Sequence, residues 1–351
     1  MKRCQSALIG TADGMIRLSP EVGIAPATGD VVVVRTKAVS VSPVDAKMQG
    51  PYITAGAIAG CDFAGVVQEI APDVGSSIKP GDRVCGTVLG MNPLRPLFGA
   101  FAEYTAAPER ALLKLPSSWT FAQGASVGIS FLTTGLALFK SLGLPGDPFR
   151  PNEQALPVLI FGGSSSTGTA AIQLVKLAGF DPITTCSPPN FDLVKSYGAS
   201  AAFDYRAPDC VVDIKRHTKN ALVFVLDCIS TAESMSFCYK VIGRAGGKYT
   251  ALEAYSEDIA KSRRVITPDW VMGPQLLGEE IAWPMPHARP ANKAMAKFGV
   301  EWMATLQKLL DNGLIRPHPL LTREGNLSHV LNGIEEVRLK KISGKKLVYV
   351  F

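Results

Sequence analysis

The stretch 158–177 constrains this chain most. Val158-Leu-Ile-Phe161 is an apolar run of strand length, Gly162 to Thr169 are all small, and Ala170, Ala171, Ile172, Leu174, Val175 and Leu177 recur at helical spacing. A buried strand, a tight small-residue turn and a helix open a βαβ unit of the nucleotide-binding kind. Such a turn lets the backbone approach a pyrophosphate, and the helix N-terminus offers N–H donors and the positive end of its dipole. Ser165 and Ser166 stand where glycine is commonest, so an ordinary βα turn of small residues fits the same letters.

Strand and helix periods alternate after the turn. Strands are expected at 181–186, 201–205, 222–228 and 246–252, and a helix at 190–197. That alternation builds a doubly wound parallel sheet. The preceding residues read differently. Strands are expected within 1–40, above all at the β-branched run 31–39, and Pro43 and Asp45 suit a helix start. Residues 58–67 lead into a strand and carry Gly60 and Gly65, placed for bulges or close backbone contacts. A turn and strand follow at 79–86, with strands at 99–104 and 112–115, giving a partly open barrel. Residues 120–142 read as helix, and the Pro/Gly-rich 143–157 marks a boundary. Beyond the sheet, 256–298 reads as irregular, 300–311 and 332–340 as helices, and 346–351 as a closing strand. The fold class is α/β. Residues 1–149 form the β-rich domain with its linker helix 120–142, 150–275 the nucleotide-binding domain, and 276–351 a return to the first.

Composition narrows the function. At 351 residues about two domains are expected. No apolar run approaches the roughly 18 residues of a membrane span, and Met1-Lys-Arg-Cys-Gln-Ser lacks a signal-peptide core. Seven cysteines are scattered with no C-x-x-C pair. That favours reduced thiols and a cytoplasmic location. The net charge of +6 is spread out, with no basic block for nucleic acid, and suits an acidic partner or an anionic cofactor.

Several motifs resemble the medium-chain dehydrogenase/reductase superfamily over nearly the whole chain: Gly60-Cys-Asp-Phe-Ala-Gly65, Lys79-Pro-Gly-Asp-Arg-Val84, Thr133, the turn at 162–168, and Ser343-Gly-Lys-Lys-Leu347. The resemblance implies a GroES-like barrel domain and a Rossmann domain. Within the superfamily, Pro43-Val-Asp-Ala-Lys-Met48, the serine-rich turn and Ser187-Pro-Pro-Asn190 are similar to the trans-acting enoyl reductases that serve fungal polyketide synthases. Many superfamily members bind zinc. Here Ser42-Pro-Val-Asp45 stands where the first cysteine ligand would lie, Cys61 replaces the motif histidine, and no cysteine lies between 86 and 185. No metal is therefore expected. His217, His287, His318 and His329 are isolated, and are expected at the surface or as ordinary hydrogen-bond partners. Without a Lewis acid to polarise a ketone, reduction of a double bond conjugated to a thioester fits better.

The second strand of the nucleotide unit runs into Thr184-Thr-Cys-Ser-Pro-Pro-Asn190, with no acid to hold a ribose 2′-hydroxyl, which favours NADPH. The resemblance implies phosphate contacts from Ser164, Ser165, Ser166 and Thr167, and a 2′-phosphate site at Ser187, Pro188, Pro189 and Asn190, with Lys195 and Arg206 nearby in sequence. Tyr205 is implied on the adenine side, Cys228, Ala251 and Leu252 beside the nicotinamide, and Lys341 and Ile342 at the close of the groove. Val44, Asp45, Ala46 and Lys47 correspond to the segment that approaches the nicotinamide. Lys47 and Thr133 are the expected catalytic residues. The Lys47 ammonium would meet the cofactor ribose or the thioester oxygen, where charge grows as an enolate forms. A hydride adds to the β carbon and a proton to the α carbon, with no donor assigned. Substrate walls are expected at Phe131, Thr134, Leu136, Met272, Gly273, Pro274, Gln275 and Leu276, residues that equally suit a core. The expected substrate is a polyketide thioester on the acyl carrier domain of a separate polyketide or hybrid synthase. A monomer is expected, with a dimer as the alternative. Rival readings are a stand-alone quinone or enone reductase, an isomerase or cyclase on the same scaffold, and a non-catalytic NADPH-binding protein.

Overall fold

The computed structural model describes residues 4–72, 75 and 78–351, leaving out residues 1–3, 73, 74, 76 and 77. The chain divides into two compact units, one of residues 1–132 and 274–351, the other of residues 133–273. The division falls inside the 120–142 segment that the sequence reading keeps with the first domain.

The first unit begins with strands β1 (Cys4–Gly10) and β2 (Ile16–Gly23), an antiparallel hairpin. Strand β3 (Val31–Val41) is followed by a one-turn helix, α1 (Pro43–Lys47), and then β4 (Asp62–Ile70), β5 (Arg83–Thr87), β6 (Tyr104–Pro108) and β7 (Leu112–Lys114). Most of β3 is buried, including its apolar Val31–Val34 run, while Arg35 is exposed and Lys37 half-buried. Its N-terminal half pairs with β6 and it pairs with β4 along its length, with a register shift between Thr36 and Ala38. Gly65 answers that shift: a Cβ there would lie 2.1 Å from the Arg35 carbonyl oxygen. The strand expected at 99–104 begins instead at Tyr104. Residues 100–102 are buried irregular chain, because Ala100 and Phe101 donate to the carbonyls of Gly60 and Ala59 outside any regular ladder.

The expected helix 120–142 is three pieces: α2 (Phe121–Ala125), α3 (Gly128–Gly135) and a π-helical stretch, Leu136–Ser141. The second unit then runs through β8 (Pro157–Phe161), α4 (Ser166–Leu177), β9 (Asp181–Thr185), α5 (Phe191–Ser196), β10 (Ala201–Phe203), α6 (Cys210–His217), β11 (Phe224–Asp227), α7 (Ala232–Val241), β12 (Gly247–Ala251), α8 (Glu257–Ser262) and β13 (Ile266–Trp270). All six strands are parallel, in the order β10-β9-β8-β11-β12-β13. The order reverses between β8 and β11, so a crevice opens at their carboxyl ends, where doubly wound sheets bind ligands. β13 and α8 lie in the segment expected to be irregular. The alternating exposure of β13 marks an edge strand that short-range apolar pattern does not reveal.

The chain returns to the first unit with α9 (Lys293–Asp311), β14 (Leu320–Glu324), α10 (Leu327–Arg338) and β15 (Lys346–Val350). Both helices start earlier than expected, since Asn292 and Asn326 cap them with side-chain acceptors. β15 pairs antiparallel with the C-terminal half of β3 and parallel with β14, which completes a seven-stranded, partly open sheet. The fold is a GroES-like barrel plus a Rossmann sheet. Among the described residues no helix is long and apolar enough to cross a membrane.

Candidate functional site

In the second unit the turn after β8 is shaped by three glycines. Gly162 has φ +84, a Cβ on Gly163 would lie 1.9 Å from Thr184 Oγ1, and one on Gly168 would lie 2.4 Å from the Gly162 carbonyl oxygen. This close approach is a cradle that side chains would fill, and it fits a dinucleotide pyrophosphate at the start of α4. The serines divide their roles. Ser165 is the N-cap: its Oγ accepts from Gly168 N–H at 3.0 Å and donates to the Gly162 carbonyl at 2.8 Å. Its hydroxyl is therefore committed to the turn, which corrects the expectation that it serves a phosphate. Ser164, Ser166 and Thr167 are half-buried around it.

At the end of β9, Asn190 Nδ2 donates to Ser187 Oγ at 3.3 Å, and both side chains are half-buried while Pro188 and Pro189 are exposed. Beyond β10, the Tyr205 ring packs against Phe161, centroids 5.9 Å apart, and the Arg206 guanidinium lies 5.1 Å over the same Tyr205 ring. Arg206 Nε also donates to Tyr205 Oη at 3.1 Å. The charge of Arg206 is legible in the sequence, but its stacking on Tyr205 is not. Lys195 is exposed in the last turn of α5.

The ends of β11 and β12 are held by Asp227, a residue not singled out from sequence. Its buried carboxyl accepts from the N–H groups of Ile229 and Ser230, from Ser234 Oγ at 2.6 Å and from Tyr249 Oη at 2.9 Å. Burial is the largest influence on it and raises its pKa. Four donors on one acid fix the loop of Cys228, while Ser230 Oγ accepts from Leu252 N–H at 2.8 Å beside the buried Ala251. Burial pushes the Cys228 thiol up, so it is no thiolate nucleophile. Thr133, Thr134 and Leu136 are all buried, and Thr134 Oγ1 lies 3.5 Å from the Thr167 carbonyl. Met272 and Gly273 close this unit and are buried.

In the first unit, α1 carries Val44, Asp45, Ala46 and Lys47. Asp45 and Ala46 are buried, Val44 is half-buried and Lys47 is exposed. Beneath α1 lies a polar cluster. Asp62 is fully buried and accepts from Ile129 N–H at 2.7 Å, Ser40 Oγ at 3.3 Å and Ser42 Oγ at 3.4 Å. Lys346, 5 % exposed, reaches in from β15. Its ammonium lies 3.3 Å from Asp62 Oδ2 and donates to Ser42 Oγ. Asp45 accepts from Ser42 N–H at 2.7 Å, and burial, reinforced by Asp62, raises its carboxyl to about 7. The Cys61 thiol bonds Asp45, and burial beside that carboxyl pushes it well above its ordinary range. His318 is buried rather than at the surface, and burial next to Lys346 lowers it to about 4.

This donor set does not fit zinc. The positions of the superfamily's ligands hold a thiol that resists ionisation and carboxyls that already face an ammonium, and a thiolate or imidazole is missing from both. Elsewhere in this unit Phe131 and Leu276 are buried, Pro274 is buried, Gln275 is half-buried, Lys341 is exposed and Ile342 half-buried. Phe131 and Leu276 serve the core: the Phe131 carbonyl accepts from Trp302 Nε1 at 3.0 Å, and Leu276 backs onto Gly299 of α9.

Comparison with known proteins agrees with this architecture. The Alcohol dehydrogenase GroES-like domain family matches residues 28–117, and the Zinc-binding dehydrogenase family matches residues 166–258. A trans-enoyl reductase of Fusarium sp. (strain FN080326) is 65 % identical over 350 residues, covering 99 % of each chain. One from Fusarium heterosporum is also 65 % identical with the same coverage. The crystal structure of the CurK enoyl reductase superposes with a TM-score of 0.75 at 15 % identity, covering 99 % of each chain, a likeness of fold. With a nicotinamide-dinucleotide fold, a GroES-like partner domain and near full-length identity of this order, the chain belongs to the fungal trans-enoyl reductases of the medium-chain dehydrogenase/reductase superfamily.

Proposed function

We propose that this protein is a trans-acting, zinc-independent enoyl reductase that reduces an α,β-unsaturated polyketide thioester presented by a partner synthase. The observation that carries the reading is the full-length identity to trans-enoyl reductases, combined with a glycine-cradled dinucleotide turn and a buried cluster unsuited to zinc. NADPH is the proposed cofactor, and it supplies a hydride to the β carbon. Ser187 and Asn190 present a hydroxyl and an amide at the end of β9, where an acid would repel a 2′-phosphate. Arg206, stacked on Tyr205, adds a cation on the adenine side. The backbone at the start of α4, with Ser164, Ser166 and Thr167, holds the pyrophosphate.

Lys47 donates to the thioester oxygen or the cofactor ribose and stabilises negative charge as the enolate forms. Thr133 positions the reacting groups through its hydroxyl. In the second unit, Thr134, Leu136, Met272 and Gly273 are the proposed substrate walls, all of them buried and acting from behind the surface. The synthase delivers the chain on its acyl carrier domain, whose acidity suits the net charge of +6. The protein acts in the cytoplasm. Turnover of an enoyl pantetheine thioester is compared with that of a free quinone under NADPH. Preference for the thioester supports this reading, and preference for the quinone supports a stand-alone reductase instead.

A further inference from the structure

The cluster beneath α1 holds its own cation. A buried ammonium is stable only when paired and hydrogen-bonded, because burial strips it of its hydration. Lys346 meets that demand with Asp62 and Ser42, groups from the start of β4 and the N-cap of α1. Asp62 in turn receives the backbone N–H of Ile129 in α3. One charge thus ties the C-terminal strand to three earlier elements, and its bond to Ser42 spans 304 positions in sequence.

α1 is five residues long, too short to hold its own shape. Its entry is set by Ser42, whose carbonyl accepts from Asp45 N–H at 3.0 Å and whose N–H donates to the Asp45 carboxyl. Fixing the Ser42 hydroxyl from below therefore fixes the rotation of the turn. That rotation buries Asp45 and Ala46 and leaves Lys47 outward.

We infer that the Lys346 ammonium, pinned between Ser42 and Asp62, is the resident cation of this domain and a positioning residue that sets where α1 presents Lys47. The inference rests on the proposed role of Lys47. Lysine is suited to this place because it brings its charge on a strand already locked between β14 and β3, with no ligand set to assemble.

The test is a double-mutant cycle of Lys346→Met and Lys47→Ala, measured with an enoyl pantetheine thioester and NADPH. Lys346→Met lowers kcat about ten- to a hundredfold with the KM for NADPH nearly unchanged, as misplacement of a reacting group does. In the Lys47→Ala background it causes no further loss, because the two act through one contact. Ser42→Ala, which removes only the hydroxyl, shows the same non-additivity and takes the place of Lys346→Met if that variant fails to fold. Equal fractional losses in both backgrounds, or no loss in either, overturn the inference and leave the enoyl reductase reading intact. Unchanged turnover in Lys47→Ala alone removes Lys47 from the chemistry and this inference with it.

Discussion

Replacing Asp45 with asparagine should stabilise the protein relative to its parent by a margin that grows as pH rises. The Asp45 carboxyl is buried under α1, where it accepts the Ser42 N–H and the Cys61 thiol. Burial is the main cause that lifts it from 3.8 to about 7. The Asp62 charge adds to the rise, while the Ser42 N–H, the Lys346 ammonium and the Cys61 thiol oppose it. Between those values the native protein keeps a proton that the unfolded chain has released, so stability falls as pH climbs through the window and levels off above about 7. Linkage over about pH 5 to pH 8 gives a loss of about 2–3 kcal/mol, from a full displacement worth about 4 kcal/mol. The amide of the Asp45→Asn variant keeps an oxygen to accept the Ser42 N–H and cannot ionise. Urea unfolding of both proteins across this range should show the gap widening in favour of Asp45→Asn by that amount toward high pH. Parallel stability curves, or a gap that widens toward acid, would refute the assignment of a buried carboxyl that ionises at its own expense here.

Gly163→Ala should lower stability by about 1–3 kcal/mol, because its methyl would overlap Thr184 Oγ1, which is itself bonded to the Ile160 carbonyl at 2.6 Å. A thermal melt and an NADPH titration of the variant read the losses of stability and of cofactor affinity. Ser187→Ala combined with Asn190→Ala should weaken NADPH about tenfold and leave NADH affinity unchanged, a comparison made by fluorescence titration. Lys47→Ala should slow NADPH oxidation by about tenfold or more with little change in NADPH affinity, read from steady-state kinetics beside a binding curve. Exhaustive chelation should leave turnover intact and metal analysis should find no stoichiometric zinc; activity lost to the chelator and restored by zinc would contradict the reading of the donor set.

Much of the dinucleotide half was legible because its signals are local. An apolar strand, the turn glycines and a helical repeat all lie within the single stretch 158–177, and the glycine turn between them separates the short apolar run from the helical repeat. The missing acid after β9 is local too, and so is the absence of cysteines between 86 and 185. The shorter elements were harder. β13 alternates exposed residues with buried or half-buried ones at a sheet edge, and 100–102 satisfies its backbone against other irregular chain, so neither leaves a periodic trace.

The chain's letters determined the class of fold, the strand–helix alternation behind the parallel sheet and the want of a zinc ligand set, since each depends on residue type at short spacing. Only the tertiary structure decided which polar groups spend themselves on one another. Ser165 looks like a phosphate donor until its hydroxyl is seen capping α4. Asp227 looks like any strand-end acid until four donors converge on it. Lys346 reads as one of several basic residues where the closing strand begins, and its buried place in the fold makes it a counter-ion for Asp62. The physical reason is common to all three. Desolvation forces a buried polar group to find a partner, and the partner is chosen by distance in space, which spacing along the chain does not encode.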